Sequence, residues 1–237
     1  MRYELMRPGQ IESAVARRLP LLIPVGVIEY HGHQNPVGVD ALIVQGLAHE
    51  LERRVECVVA PTIFYGYTGE WAGDARLGEI HVDGDGLYRF VKPILKAFFK
   101  QGWRRIYVIC HHQGPTGVTQ LAYQRAATES AMEVAREEFG AGWGRTAEIG
   151  IDPRWFETFR VVTDAEYAPN GGYGGHGGRD ETAAMLHFYP ETVDLAELGK
   201  MDPLPFWAQD AGQANATQGQ AIAERLLASW VERLRKN

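Results

Sequence analysis

The sequence predicts an α/β fold built on a mostly parallel sheet with helices covering both faces. Short apolar runs at 21–28, 57–62, 105–110 and 159–163 alternate with longer segments of helical spacing. Strands alternating with helices imply right-handed crossovers and parallel pairing. The first run is apolar without alternation, as a strand buried on both faces requires. The 237 residues are 45% hydrophobic and 23% charged, an ordinary globular balance, and no repeat, linker or low-complexity boundary divides them. One domain over 1–237 is therefore expected.

Each element has a local reason. Residues 21–28 carry Val25, Val27 and Ile28 and end in a Gly/Pro/Asn-rich loop, 32–39. Residues 41–54 follow with apolar positions at Leu42, Ile43, Leu47 and Leu51, and Asp40 stands where an N-cap belongs. Residues 57–62 are a second strand, and 65–85 a long loop rich in glycine and aromatics. Residues 87–100 read as an amphipathic helix closed by Gly102, and 105–110 as the third strand. A long helix over 117–139, a fourth strand at 159–163, a Gly-rich loop at 170–178, a helix from 180 to 188 and a terminal helix over 216–234 complete the chain.

Composition narrows the function. The net charge is -6 and no Lys/Arg stripe appears, which disfavours a nucleic-acid partner. Cys57 and Cys110 lie in separate apolar runs, so a disulfide framework is not expected and a reducing compartment is. Residues 1–19 lack the apolar core of a signal peptide, and the run 19–28, broken by Pro and Gly, is too short to span a bilayer. The expectation is a soluble, cytoplasmic protein without a membrane partner.

Parallel α/β sheets bind ligands beyond the carboxyl ends of their strands. Glu29 and His31 sit two residues apart after the first strand, where extended geometry points both side chains the same way. A carboxylate beside an imidazole suits Zn²⁺, Mn²⁺ or Fe²⁺. Asp40 closes the loop that follows, His111 and His112 come directly after the third strand, and Glu181 opens a helix beyond the fourth. Taken alone, Asp40 is a helix cap, Glu181 a partner of the helix dipole, and the histidines loop residues bonded to backbone. Glu29 resists such a reading, because a charge ending an apolar strand is costly when unpaired. Convergence of three strand ends on one sheet edge turns the set into a metal-site candidate.

The segment from Pro24 to Asp40, with Pro-x-Gly, Glu29-x-His31-Gly and Pro36-x-Gly-x-Asp40, resembles the signature of the creatininase (creatinine amidohydrolase) family. Similarity continues through Gly78-Glu-Ile, residues 87–100, Gly102-Trp-Arg-Arg-Ile and Gly175-His-Gly-Gly-Arg-Asp-Glu-Thr182, spanning roughly 21–195. The resemblance implies a three-layer α/β/α sandwich, a homo-oligomer such as a hexamer, and two divalent ions (Zn, Mn or Fe). One ion would be held by Glu29, Asp40 and His112, the other by His31, Asp40 and Glu181, with Asp40 shared. His176 matches the histidine that the family uses to carry protons near the substrate, and Glu181 joins it in the catalytic set.

The departures are specific. Where the family has Asn-Gly-His-Gly-Gly-Asn, this chain has Cys110-His-His-Gln-Gly-Pro115. Alignment makes His112 the ligand and His111 an extra imidazole, with the reverse assignment open. Creatinine-specific members place a metal-binding Glu at the position of Gly114, so Glu181 must serve here and creatinine itself is disfavoured as substrate.

The implied reaction is attack of metal-acidified water on a carbonyl, with the oxyanion stabilised by metal charge. His33, Tyr65, Trp71, His81, His111, Gln113 and Tyr173 are the candidate substrate contacts. Aromatic residues of the 65–85 loop, Tyr67 included, fit a pocket wall or an oligomer contact, and the Trp143 and Trp155 region fits a subunit contact. His81, Asp83 and Asp85 are spaced for one extended face, either touching substrate or supporting those that do. The glycines at 171–178 lack the Gly-Lys-Ser/Thr of a phosphate loop and suit a lid. His33, Gln34, His81 and Gln113 offer many hydrogen bonds to a hydroxyl-rich substrate. The expected reaction opens a small ring: a keto-inositol by C–C hydrolysis, on which some similar proteins act, or a cyclic amide. Lactam or formamide amidohydrolysis, a non-catalytic metal-dependent binding protein and a purely structural subunit are the alternatives.

Overall fold

The computed structural model describes residues 1–140, 157–168 and 174–236. The elements run α1 (Pro8–Ala16), β1 (Leu21–Val25), α2 (Val39–Arg54), β2 (Val58–Val59), α3 (Gly84–Lys100), β3 (Ile106–Cys110), α4 (Val118–Phe139), β4 (Phe159–Thr163), α5 (Arg179–Phe188) and α6 (Ala216–Arg235). The strands pair in parallel in the order β2-β1-β3-β4. Trp143, Trp155 and Tyr173 lie outside the described residues.

Alternation along the strands makes the three layers. Leu21, Ile23 and Val25 of β1 and Ile106, Val108 and Cys110 of β3 face Leu87, Val91 and Leu95 of α3 and Tyr123 and Ala126 of α4. Leu22, Tyr107, Ile109 and Val162 face the other way, onto Val44, Leu47 and Leu51 of α2 and Leu226, Leu227 and Trp230 of α6. The two central strands, β1 and β3, are buried on both faces, which is why they read as unbroken apolar runs. Among the described residues no helix is long and apolar enough to cross a membrane.

Several elements differ from expectation. The first strand stops at Val25 rather than 28, because Gly26 passes directly under the start of α2. A Cβ at Gly26 would overlap the backbone nitrogen and Cα of Ala41. The second strand shrinks to two residues, since beyond Val59 the chain bonds to β1 only intermittently, Ala60 to Leu22 and Ile63 to Pro24. That gap also tolerates Pro24 within a central strand, for its missing N–H faces the side where β2 has ended. Asp40 is not the cap of α2: Gly38 holds that place without a side-chain bond, and Asp40 lies in the first turn, 2% exposed. Asp83 caps α3, accepting from the Gly86 N–H at 2.8 Å, and Asp85 lies in that helix's first turn, so His81, Asp83 and Asp85 do not form one extended face.

Register sets the level at which the site is built. Val25 of β1, Cys110 of β3 and Thr163 of β4 stand side by side. The next residues of each chain segment therefore emerge together at one edge: Gly26 to Glu29, His111 and His112, and Asp164.

Candidate metal centre

Glu29, His31, Asp40 and Glu181 are 3%, 1%, 2% and 5% exposed. Burying so many ionisable groups is costly unless they are paired or hold a cation. Glu29, Asp40 and His112 each bring one donor atom within 4.8 Å of the others, and His31, Asp40 and Glu181 do the same. Asp40 belongs to both sets through different oxygens. Its Oδ2 lies 2.9 Å from His112 Nδ1, and its Oδ1 lies 3.3 Å from His31 Nε2. Glu29 Oε2 is 3.3 Å from His112 Nδ1, and Glu181 Oε2 is 3.7 Å from His31 Nε2.

Backbone carbonyls orient the rings. His31 Nδ1 lies 3.0 Å from the Glu29 carbonyl, and His112 Nε2 lies 2.9 Å from the Tyr67 carbonyl. A carbonyl only accepts, so each of these nitrogens donates. Once its second nitrogen gives up its proton to metal binding, each ring turns that lone pair toward the space between the carboxylates, the arrangement of a metal-ligating histidine. Glu29 Oε2, His31 Nε2 and Asp40 Oδ2 are buried yet make no aligned hydrogen bond, despite the close approaches. Donors that crowd one another without pairing are gathered round a shared point, and they fit a divalent cation.

The charges agree. Burial pushes His31 down, but Asp40, Glu181 and Glu29 outweigh it and hold the ring up at about 9. Burial likewise opposes His112, and Asp40 and Glu29 raise it to about 10. His111 is raised well above its ordinary value, against burial, by Asp164 and Glu181. Burial would raise Asp40, but His31 and His112 hold it far below the usual carboxylate range. His176 moves the opposite way, lowered by burial and then by His31.

The scaffold behind the ligands is polar and closed. Gln34 Nε2 donates to the carbonyls of His31 (3.2 Å) and Gly177 (2.8 Å), and Asn35 Nδ2 donates to the His31 carbonyl (3.2 Å) and Thr182 Oγ1 (3.0 Å). These bonds clamp the loop after β1 to the start of α5. The Gly177 N–H donates to Glu181 Oε2 at 2.6 Å. Gly177 has φ +59°, and a Cβ there would lie 2.7 Å from the His31 carbonyl oxygen, so only glycine fits.

A cavity of about 530 Å³ opens over the centre, with Glu29, Asp40, His111, His112, His176 and Glu181 exposed to it and Trp71 and Gln113 on its walls. His176 lies over His31 at 4.1 Å between ring centroids and meets Trp207 edge-on at 4.9 Å. Its Nε2 donates to the Tyr30 carbonyl at 2.8 Å, and its Nδ1 is 3.7 Å from Glu29 Oε2. His33, Tyr65 and His81 do not line this cavity. His33 packs edge-on against Tyr30, Tyr65 is 51% exposed, and His81 Nδ1 accepts from the Gly69 N–H at 3.0 Å, bracing the loop that carries Trp71.

Sequence reasoning missed Asn35, Thr182 and Asp164. Asp164 was visible only as the residue following a predicted strand. Its carboxylate lies 3.0 Å from His111 Nδ1.

Comparison with known proteins gives a consistent picture. The creatininase profile, described as creatinine amidohydrolase, matches residues 4–234. The creatinine amidohydrolase of Pseudomonas putida is 25% identical over 193 residues, 78% of this chain and 70% of that protein. The 3-dehydro-scyllo-inosose hydrolase of Thermotoga maritima is 26% identical over 125 residues, 53% of this chain and 40% of that protein. A solved structure described as "Creatininase Mn" superposes with a TM-score of 0.74 at 22% identity, covering 99% of this chain and 97% of that one.

Proposed function

The chain belongs to the creatininase family, and from that premise we propose that it is a dinuclear-metal hydrolase that opens a small, polar, cyclic substrate by adding water to a carbonyl. The observation that carries this reading is Asp40, whose two oxygens serve two separate donor sets. Glu29, Asp40 and His112 would hold one divalent ion, and His31, Asp40 and Glu181 the other. Zn and Mn are the favoured ions, since solved relatives are described with each. Such ions supply Lewis acidity and lower the pKa of bound water toward neutrality.

The protein's own residues supply the rest. The Tyr30 carbonyl fixes the Nε2 proton of His176, which leaves Nδ1 as the atom that takes a proton and returns it. Water contributes its oxygen to the carbonyl carbon. The bond from that carbon to the ring nitrogen or ring carbon breaks, and the proton carried by His176 goes to the departing atom. Trp71 and Gln113 flank the cavity where the substrate would sit, one offering an apolar face and the other hydrogen bonds.

Ring opening of a keto-inositol, by C–C cleavage, is supported by the similarity to the Thermotoga maritima hydrolase and by the hydrogen-bonding walls. Cleavage of a cyclic amide is the second reading, favoured by the longer match to creatinine amidohydrolase. The proposed setting is cytoplasmic and the proposed assembly a homo-oligomer, checked by light scattering of the purified chain. The deciding experiment is a hydrolysis screen with Mn²⁺ or Zn²⁺ over keto-inositols, lactams and formamides, alongside elemental analysis. Turnover that disappears on chelation, with about two ions per chain, supports the reading. Absence of bound metal and of any metal-dependent thermal shift overturns it.

A further inference from the structure

We propose that His111, aimed by Asp164, is an additional imidazole ligand of the ion on the Glu181 side. The inference rests on the metal-dependent reading above and adds a residue to it.

Placement comes first. His111 and Asp164 each follow a strand end, at Cys110 and Thr163, which are paired in register. The His111 N–H donates to the Val25 carbonyl at 2.9 Å, and the Asp164 N–H donates to the Cys110 carbonyl at 3.2 Å. The indole of Trp230 donates to the Asp164 carbonyl at 2.6 Å. Both backbones are thus pinned to the sheet, and the side chains that they carry are 10% and 4% exposed. Asp164 Oδ2 lies 3.0 Å from His111 Nδ1, so the carboxylate fixes the ring's orientation and turns Nε2 into the cavity. A carboxylate behind an imidazole is the usual support of a metal-ligating histidine.

The donor spacing comes next. His31 Nε2 is 3.3 Å from Asp40 Oδ1, which is 4.0 Å from His111 Nε2. His111 Nε2 is 3.4 Å from Glu181 Oε1, and Glu181 Oε2 is 3.7 Å from His31 Nε2. The four side chains close a ring whose neighbouring donors lie 3.3–4.0 Å apart, with His111 at the edge of the tighter group of His31, Asp40 and Glu181. Glu181 faces one histidine with each oxygen. The sequence agrees, because the chain places histidine where the family pattern has glycine, and glycine (Gly114) where creatinine-specific members have a ligating Glu. An ion that lacks the second of these ligands gains an imidazole from the first.

The test uses Co²⁺ as the probe on the metal-stripped full chain, read by its visible absorption and by competition with a chelator. In His111→Ala one ion should bind at least about 100-fold more weakly, while the ion held by Glu29, Asp40 and His112 keeps its affinity and so reports that the variant is folded. In Asp164→Asn the same ion should weaken by about 10–100-fold, and the double variant should be no worse than His111→Ala. Wild-type affinity for both ions in His111→Ala overturns the assignment. Should that variant not fold, unchanged affinity in Asp164→Asn overturns it equally. If the wild-type chain itself binds no Co²⁺, the metal-dependent reading fails, and that outcome is distinct from the failure of His111 alone.

Discussion

Gly26 packs against Ala41 so closely that a Cβ on the glycine would overlap the backbone nitrogen and Cα of Ala41. This contact sets the first turn of α2 against the end of β1, and Asp40 precedes Ala41. A Gly26→Ala substitution must push the helix start outward and carry Asp40 with it. Overpacking of this kind costs about 1–3 kcal/mol. The expected result is a lower urea midpoint together with weaker metal binding. A variant with lower stability but unchanged metal affinity would show that Asp40 is placed by other contacts.

Shared and unshared ligands should behave differently. Asp40→Ala removes an oxygen from both donor sets, so both ions should be lost together. Glu181→Gln touches only the set with His31, and one ion should remain. The loss at the affected site should exceed the ~10–100-fold typical of supporting residues. Elemental analysis after extensive dialysis reads the difference. Equal metal content in the two variants contradicts a bridging role for Asp40.

The pH dependence of the metal-free protein has a definite sign. His31 and His112 are held at about 9 and about 10 in the folded state, against about 6.5 when unfolded. Groups raised on folding stabilise fully below their unfolded value, and their contribution vanishes as pH rises through the folded one. Asp40, lowered on folding, contributes above its unfolded value near ~3.9 and loses that contribution as pH falls. Chelator-treated protein should therefore melt at lower temperature at pH 10 than at pH 7. Metal must displace the imidazolium protons, so the thermal shift produced by added Mn²⁺ should grow between pH 6.5 and 9. A metal-free melting temperature that is flat from pH 7 to 10 argues against this proton-holding cluster.

Most helices could be read from periodicity because each buries one face, and the central strands as unbroken apolar runs because both faces of the sheet are covered there. The fourth strand coincides with its expected span, Phe159–Thr163. The strand ends that gather Glu29, His31, His111 and His112 were legible for the same reason. Local rules failed where a tertiary contact overrode them. Asp40 has the chemistry of an N-cap, but its carboxylate is drawn to two imidazoles instead of the helix N–H groups. His81 has the chemistry of a substrate contact but accepts the Gly69 N–H. Asn35 and Thr182 lie far apart in sequence, and only the fold brings them to the 3.0 Å bond that clamps the His31 loop.

His176 offers the cleanest separation of metal binding from proton transfer. Its Nε2 proton is committed to the Tyr30 carbonyl, and its ring rests on His31 at a centroid distance of 4.1 Å. Burial, followed by the neighbouring His31, lowers its pKa, so the ring is neutral at pH 7 and Nδ1 can accept a proton. A His176→Ala variant should keep its metal content, because neither set that shares Asp40 includes this residue. Its kcat should fall by about 10²–10⁴-fold, the range for a lost general acid–base group. Metal loss equal to the activity loss would instead make His176 a ligand, through the Glu29, His31 and His176 grouping that the geometry also permits. Full activity on the best substrate would end the proton-carrier assignment and leave the Asp40 centre standing.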